Sequence, residues 1–410
     1  MLAARRAPLF AFTFAVLAAL GGCEKKPTAA AGGAAPEAPK AEAKPADPAT
    51  PPADADTILL GEVGSLTGSE ATFGISTKNG IQMAIEEVNA AGGVTVNGKP
   101  KKLAVRVYDD QGKPEEAANA VTRLISQDRV VAILGEVASS NSLAMAPRAQ
   151  AAKVPMVSPS STNPKVTEVG DFIFRVCFID PFQGTVMAKF ATETLKAKNV
   201  AILKDNKSDY SLGLSQFFTE TFTKQGGTIV AEEAYSKGDT DFRGQLTVIK
   251  GKKPDAIYVP GYYTDVGVIA RQARELGVTA PMMGGDGWES EKLFELGGAA
   301  IDGSYFSNHY STDNPSPVVQ GFIKGFEAKF GSKPDSLAAL GYDAAMVVVE
   351  ALKRAGSTDG QKLRDELAKT NNHGGIAGTI TLDDKRNAVK PAVILQVKDG
   401  HTAYVATISP

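Results

Sequence analysis

From residue 57 onward, short runs of β-branched and apolar residues alternate with longer segments whose apolar side chains recur at helical spacing. Four of these runs predict strands of a first sheet, at 58–63, 103–108, 130–134 and 154–157. A predicted helix separates each strand from the next. Alternation of this kind is typical of a parallel sheet with helices on both faces. The first part of the chain therefore predicts a doubly wound α/β lobe.

The same pattern starts again after Asp180-Pro181. Helices predicted at 182–197, 210–225, 241–250 and 263–276 lead to strands at 200–203, 228–231, 256–259 and 281–283. Helices near 315–330, 336–355 and 359–369 follow, with β-type runs at 376–382, 392–397 and 402–408. The segment from residue 57 to residue 410 is longer than the chain that usually folds around one hydrophobic core, so two lobes are expected. We predict lobe 1 from 57–180 and 310–388, lobe 2 from 181–309 and 389–410, and a hinge of three crossings near residues 180, 309 and 388.

Residues 1–23 have the features of an export signal. Arg5 and Arg6 precede an apolar run at 9–20 that is too short to cross a bilayer, and Leu20-Gly21-Gly22-Cys23 resembles the box of bacterial lipoproteins, whose cysteine carries the lipid. A plain signal peptide with a chance cysteine is the alternative. Residues 24–56 are rich in Ala, Pro, Lys and Glu and predict a disordered tether. We expect an extracytoplasmic, periplasmic protein held at a membrane through Cys23.

Charge and motifs argue against several classes of function. The formal net charge is −2 and no long basic run exists, so no nucleic-acid partner is expected. The three histidines, at 309, 373 and 401, lack metal-ligand spacing. The glycines at 61, 64 and 68 follow a strand with the wrong spacing for a dinucleotide fingerprint, which argues against the enzymatic alternative, a Rossmann-like oxidoreductase. We expect no enzyme activity, no cofactor and no metal.

Small hydroxylic residues stand after two predicted strands. Ser139 follows the third strand at the start of a helix, and the segment 158–164 follows the fourth. In open α/β sheets, ligands bind at the carboxyl ends of strands, and a serine at a helix N-terminus offers its hydroxyl together with free N–H groups. This combination suits a small carboxylate, with an ordinary helix N-cap as the alternative.

Several short segments, in their order along the chain, resemble one known family, the periplasmic leucine/isoleucine/valine-binding proteins of branched-chain amino-acid ABC transporters. They are 66–68, 79–80, 88–93, 108–110, 158–164, 261–263, 271–274 and 341–343. The resemblance implies a type I periplasmic binding protein, the Venus-flytrap fold, whose two lobes close over an L-amino acid. It also implies an ABC permease as the partner and a monomeric protein.

The resemblance further implies individual ligand contacts. Ser139 and Thr162 would bind the ligand carboxylate and Ser160 would offer a carbonyl, while Asp286 of the second lobe would pair with the amine. The aromatic residues Phe73, Tyr210 and Tyr262 would wall the side-chain pocket, with Trp288 as a further candidate, and Ala138 and Gly287 adjoin the same site. For Phe73 and Trp288, an ordinary core or surface position is the alternative.

Two departures from the family pattern bear on specificity and stability. The family's disulfide positions hold Gly112 and Ala138, so the covalent link is absent. Glu136, beside the expected side-chain pocket, could favour a polar or cationic ligand over an aliphatic one. The alternatives are therefore a binder of a polar amino acid or amide, and a sensory protein of the same fold that signals through a partner.

Overall fold

The computed structural model describes residues 56–410. The predicted signal with Cys23 and nearly all of the tether predicted at 24–56 lie outside the described residues. The strands are β1 (Thr57–Gly64), β2 (Val94–Val96), β3 (Lys99–Asp109), β4 (Ile133–Leu134), β5 (Met156–Ser158), β6 (Ile173–Arg175), β7 (Asn199–Asp205), β8 (Thr228–Tyr235), β9 (Ala256–Tyr258), β10 (Met282–Gly284), β11 (Tyr305–Asn308), β12 (His373–Gly375), β13 (Gly378–Ile380), β14 (Ala392–Lys398) and β15 (His401–Ile408). The α-helices are α1 (Ala71–Ala90), α2 (Pro114–Arg123), α3 (Ser139–Ala152), α4 (Lys165–Glu168), α5 (Asp180–Lys189), α6 (Asp209–Lys224), α7 (Arg243–Lys252), α8 (Tyr263–Glu275), α9 (Glu291–Gly297), α10 (Pro317–Phe330), α11 (Ser336–Ala355) and α12 (Gly360–Ala368).

Two sheets organise the body, which confirms the predicted two-lobed α/β fold. The first has the order β2-β3-β1-β4-β5-β6 and the second the order β15-β14-β11-β10-β9-β7-β8. The predicted parallel sheets each carry antiparallel strands at one end, because β2 runs antiparallel to β3, β14 to β11 and β15 to β14. The turns at Asn97-Gly98 and Asp399-Gly400, all four residues with positive φ, account for the pairing of β2 with β3 and of β14 with β15, since such two-residue turns join antiparallel strands.

The first lobe is held together by a close crossing of helices. Helices α1 and α11 pack against each other on one face of the first sheet, around a buried apolar core. A Cβ atom at Gly80 would collide with the Ala338 carbonyl oxygen, and one at Gly341 would collide with the Thr77 carbonyl oxygen. Both glycines therefore allow the two helix backbones to touch, which fixes how α11 covers the sheet.

One central strand was not predicted. Strand β11, between β10 and β14 in the second sheet, has the sequence Tyr-Phe-Ser-Asn, which is too short and too polar to stand out as an apolar run. The predicted strand at 376–382 is instead the small hairpin of β12 and β13. Within residues 56–410, no helix combines the length and apolar character that crossing a bilayer demands.

Candidate functional site

The first-lobe side of the site consists of hydroxyl groups at two strand ends. Ser139 is the first residue of α3, with Ala138 in the N-cap position, and its Oγ accepts a hydrogen bond from the Asn163 N–H at 3.2 Å. Ser160 and Thr162 lie in the loop after β5 and are buried. Neither of their hydroxyl oxygens has a hydrogen-bond partner among the described residues. Buried hydroxyls without a partner are rare, so these two groups are candidates for contacts with a ligand.

The loop that carries these hydroxyls is held rigidly by its other residues. The Ser158 and Ser161 hydroxyls donate to the Glu136 carbonyl at 2.8 and 2.9 Å. The buried guanidinium of Arg175, on strand β6, donates to the carbonyls of Ser161 and Asn163. The loop conformation is therefore fixed by its own scaffold, independently of Ser160 and Thr162.

The second-lobe side is built around Asp286, which follows β10. Its Oδ1 accepts from the Tyr210 hydroxyl at 3.0 Å and its Oδ2 from His309 Nε2 at 2.9 Å, while its N–H donates to Gln183 Oε1 at 2.8 Å. Burial lowers the pKa of His309, so its imidazole is neutral and donates through Nε2–H. The imidazole ring stacks on the Phe178 ring, with the two centroids 3.8 Å apart. Burial also raises the pKa of Tyr210 well above its usual range. Both donors are therefore neutral and orient the acid without supplying a positive charge.

Aromatic rings form one wall beside this acid. Tyr210 and Tyr262 stack with centroids 5.2 Å apart, and Phe73 of the first lobe meets Tyr262 and Tyr263 edge-on at 5.4 and 5.0 Å. Gly287 lies against the stack: a Cβ there would sit 2.8 Å from Tyr262 Cδ1. The residue after Asp286 must therefore lack a side chain for the two rings to pack where they do.

Trp288, the further candidate for the pocket wall, is a core residue. Its side chain is fully buried, its indole N–H donates to the Val259 carbonyl at 2.9 Å, and its ring packs near Phe306 at 6.0 Å. The contacts place it in the apolar core of the second sheet, and they support the core alternative for this residue.

The two lobes touch across the cleft, so the structure is closed. The Ser140 hydroxyl donates to Asp209 Oδ2 at 2.9 Å, and Asn163 Nδ2 donates to the Asp209 carbonyl at 2.8 Å. At the rim, Lys237 Nζ lies 2.7 Å from Glu70 Oε2. Two further contacts join the lobes: Thr72 with Ser290, and Tyr263 with Ser69. Asp209 precedes Tyr210, so this closure brings the hydroxyls of one lobe towards the acid of the other.

Glu136 does not offer a free carboxylate to a ligand. Its Oε1 accepts from the N–H and the hydroxyl of Ser65, both at 3.1 Å, and its Oε2 from the Ala138 N–H at 2.5 Å. The Ser65 Oγ also lies 2.9 Å from Asp110 Oδ1, which accepts from the Gly112 N–H. Burial and the charge of Asp110 raise the pKa of Glu136 well above its usual range. The Ser65 hydroxyl has a single proton to share between the two acids, and the closeness of Asp110 is one cause of the raised pKa of Glu136.

Three site residues escaped the sequence analysis. Asp180 begins α5 and is fully buried, and Gln183, one turn later, accepts both the Asp286 N–H and the Ser307 hydroxyl. His309 orients Asp286 directly. The Asp180-Pro181 pair and His309 were singled out only as crossings between lobes. No group of side chains able to hold a metal ion occurs within residues 56–410.

Comparison with known proteins decides the family. Residues 57–402 match the model of the periplasmic binding protein family. The chain belongs to this family. A leucine-, isoleucine-, valine-, threonine- and alanine-binding protein of Pseudomonas aeruginosa is 31% identical over 333 residues, 81% of this chain and 87% of the relative.

Solved structures of this family agree with the fold. A leucine-binding protein from Thermotoga maritima has a TM-score of 0.82 and 44% identity, covering 86% of this chain and 99% of that one. A branched-chain amino-acid transporter substrate-binding protein from Streptococcus pneumoniae, in complex with isoleucine, has a TM-score of 0.81 and 36% identity, covering 86% of this chain and 100% of that one. The matches confirm the resemblance and the type I periplasmic binding protein fold.

Proposed function

We propose that this periplasmic binding protein captures a free L-amino acid with an aliphatic side chain and delivers it to an ABC permease. One observation carries the proposal: the buried, unpartnered hydroxyls of Ser160 and Thr162 stand in one lobe, and the oriented carboxylate of Asp286 in the other. Hydroxyls suit the ligand carboxylate and the acid suits its ammonium. A zwitterion satisfies both sides at once and holds the lobes together.

The walls favour an aliphatic side chain. The rings of Phe73 and Tyr262 offer apolar surface, and the nearby Glu136 carboxylate is already engaged by Ser65 and Ala138. This observation weakens the argument for a cationic or amide side chain. The related proteins that are described as binding leucine, isoleucine and valine support the same ligand class.

A ligand screen by thermal unfolding tests the ligand class. We expect L-leucine, L-isoleucine or L-valine to raise the melting temperature most, because a ligand at a hundred times its Kd adds about 2.7 kcal/mol of stability. D-leucine is the matched control, since it presents the same groups with the wrong geometry. A larger shift with lysine or glutamine would replace the aliphatic assignment by the polar one, and no shift with any L-amino acid would refute the proposal.

We infer further that the protein works by hinge closure and performs no catalysis. Segments 57–180 and 310–388 would form one rigid body and segments 181–309 and 389–410 the other, with three crossings that restrict motion to a hinge. Small-angle scattering should give a smaller radius of gyration with saturating ligand. An unchanged radius, with binding confirmed by calorimetry, would contradict closure.

Anchoring and delivery complete the proposal. Lipidation of Cys23 would hold the monomeric protein at the membrane outside the cytoplasm, and the Cys23→Ser variant should leave the membrane fraction yet bind ligand. Equal amounts of both forms in the membrane pellet would place the anchor elsewhere.

A sensory role is the competing function, and ligand uptake by vesicles that contain a candidate permease separates transport from sensing.

A further inference from the structure

Two buried acids meet at one serine hydroxyl beside the first turn of α3. Asp110 Oδ1 lies 2.9 Å and Glu136 Oε1 lies 3.1 Å from Ser65 Oγ, and all three residues are at most 2% exposed. We call these three residues the Ser65 network. Two carboxylates that share one site repel each other, and burial strengthens the repulsion. Such a pair is commonly stabilised by a proton on one of its members.

The groups that contact the two acids bring no positive charge. Within residues 56–410, all donors to these acids are neutral: the hydroxyl and N–H of Ser65, the N–H groups of Gly112 and Ala138, and the amide of Asn141. The charged and titratable groups nearby are Asp109, the Glu70–Lys237 ion pair beside Gly112, and Tyr262 of the second lobe. Two of these are further acids, and Lys237 is already paired. A proton is therefore what relieves the repulsion between the two buried acids.

We propose that the two acids of the Ser65 network share one proton at neutral pH and that this proton positions the first turn of α3 for ligand binding. Glu136 carries the proton on Oε1 and donates it to Ser65 Oγ, and the Ser65 hydroxyl donates its own proton to Asp110 Oδ1. Both acids are then bonded to the serine, whereas one hydroxyl proton satisfies only one of two ionised acids. The positioning role rests on the proposed function, and the shared proton does not.

The network holds α3 on both sides of Ser139, the predicted contact of the ligand carboxylate. Glu136 Oε2 accepts from the N–H of Ala138, the residue before Ser139, and Asp110 Oδ2 accepts at 2.9 Å from Nδ2 of Asn141, two residues after it. Asp110 and Glu136 are therefore positioning residues, which act on the ligand through Ser139. If both acids were ionised, their repulsion would separate these two anchors, and the carboxylate of a bound ligand would add a third negative charge nearby.

The shared proton makes both stability and affinity depend on pH. Burial raises the pKa of Glu136 well above its usual range, and the charge of Asp110 adds to the rise. Above the usual carboxyl range, the folded protein therefore keeps a proton that the unfolded chain has lost. The unfolding constant should rise with pH, at most tenfold per pH unit, until Glu136 loses its proton in the folded protein as well. Affinity for leucine should fall as the pH rises through the pKa of Glu136 in the folded protein, because its ionisation releases the start of α3.

The test measures leucine affinity by calorimetry and stability by urea unfolding at a series of pH values. Glu136→Gln places a permanent donor next to Ser65 Oγ and keeps an acceptor for the Ala138 N–H, at the loss of the acceptor for the Ser65 N–H. The ratio of its leucine affinity to that of wild type should rise at least about threefold between about pH 6 and about pH 10, since one ionisation changes a constant by at most tenfold per pH unit. The ratio cancels the titration of leucine itself and of the other acids in the cleft.

Glu62→Gln is the matched control. Glu62 is also buried, and burial raises its pKa to about 8, but among residues 56–410 it shares no hydrogen bond with the Ser65 network. Its substitution should change the pH profile of unfolding and leave the ratio of affinities to wild type constant. If Glu136→Gln does not fold, Asp110→Asn removes the like charge and should give the same rising ratio.

Each outcome decides one part of the proposal. Unfolding profiles of wild type and Glu136→Gln that run parallel with pH would overturn the shared proton. Profiles that differ, with a constant ratio of affinities, would support the shared proton and overturn the positioning role. A ratio that rises equally for Glu62→Gln would also overturn the positioning role, because any buried acid would then have this effect. Failure of wild type to bind any amino acid would refute the proposed function together with the positioning role, and the unfolding profiles would still test the shared proton.

Discussion

The two halves of the cleft differ in how their proposed ligand-binding groups are held in the absence of a ligand. In the second lobe, Asp286 is oriented by Tyr210, His309 and Gln183, so its geometry is set by the protein alone. In the first lobe, the hydroxyls of Ser160 and Thr162 are buried and unpartnered. One half is preorganised and the other is completed by what it binds. Substitutions that break the scaffold around Asp286 should therefore lower stability as well as affinity, whereas removal of the Ser160 or Thr162 hydroxyl should lower affinity alone.

The largest effect on ligand affinity is expected at Asp286. Asp286→Asn should weaken amino-acid binding at least thirtyfold, because removing one partner of a desolvated charge pair typically costs roughly 2–5 kcal/mol. The amide keeps an acceptor for His309 and can point its NH₂ group at the Tyr210 oxygen, so the fold should survive. Calorimetry measures the affinity and circular dichroism the fold. A folded variant that binds as wild type does would remove Asp286 from the site.

The aromatic wall beside Asp286 should tolerate little added volume. Gly287→Ala should lower the free energy of unfolding by about 1–3 kcal/mol, because its Cβ would press on Tyr262 at 2.8 Å and on the Gly261 carbonyl oxygen at 2.9 Å. Gly64→Ala in the first lobe is the control, since its nearest neighbour would be 3.4 Å away. Urea unfolding of both variants checks the difference. Equal stabilities would show that the second-lobe wall is not rigid.

In the first lobe, binding and stability should separate. Thr162→Val keeps the shape of the side chain and removes an unpartnered hydroxyl, so the unliganded protein should be as stable as wild type or more so. Affinity should fall about tenfold, the loss expected for a hydrogen bond to a charged group worth about 1.5 kcal/mol. Thermal unfolding without ligand measures the stability of the variant, and calorimetry with leucine measures its affinity. A variant that loses stability without losing affinity would show that the Thr162 hydroxyl supports the fold and does not bind the ligand.

The smallest effect is expected where the halves meet at the rim. Lys237→Met removes the ion pair with Glu70 across the cleft and should speed ligand dissociation only a few-fold, because a partly exposed pair is worth about 0–1 kcal/mol. Lys204→Met is the control, since its pair with Glu232 lies within one lobe. Stopped-flow dissociation at low and high salt should show a difference that salt reduces. Equal rates for both variants would mean that the rim pair does not hold the cleft closed.

The sequence predicted the elements better than it predicted the site. Apolar periodicity located most of the helices and strands, and the strand-end rule pointed to Ser139 and the 158–164 loop. Gln183 and His309 could not be found in this way, because they reach Asp286 from positions 103 and 23 residues away. Both lie where the chain passes between the sheets, at α5 and after β11. Their role depends on tertiary contacts that leave no local pattern.

The Ser65 network has a consequence for where this chain can fold. It links the loops of Gly112 and Ala138 by hydrogen bonds, where the family resemblance leads one to expect a disulfide. The remaining thiol in the described part, Cys177, is buried, and burial raises its pKa to about 12, which keeps it out of the reactive thiolate form. Native structure in residues 56–410 thus requires neither an oxidant nor a disulfide isomerase. The body should fold equally well in a reducing or an oxidising compartment, and a reductant should leave its melting temperature unchanged.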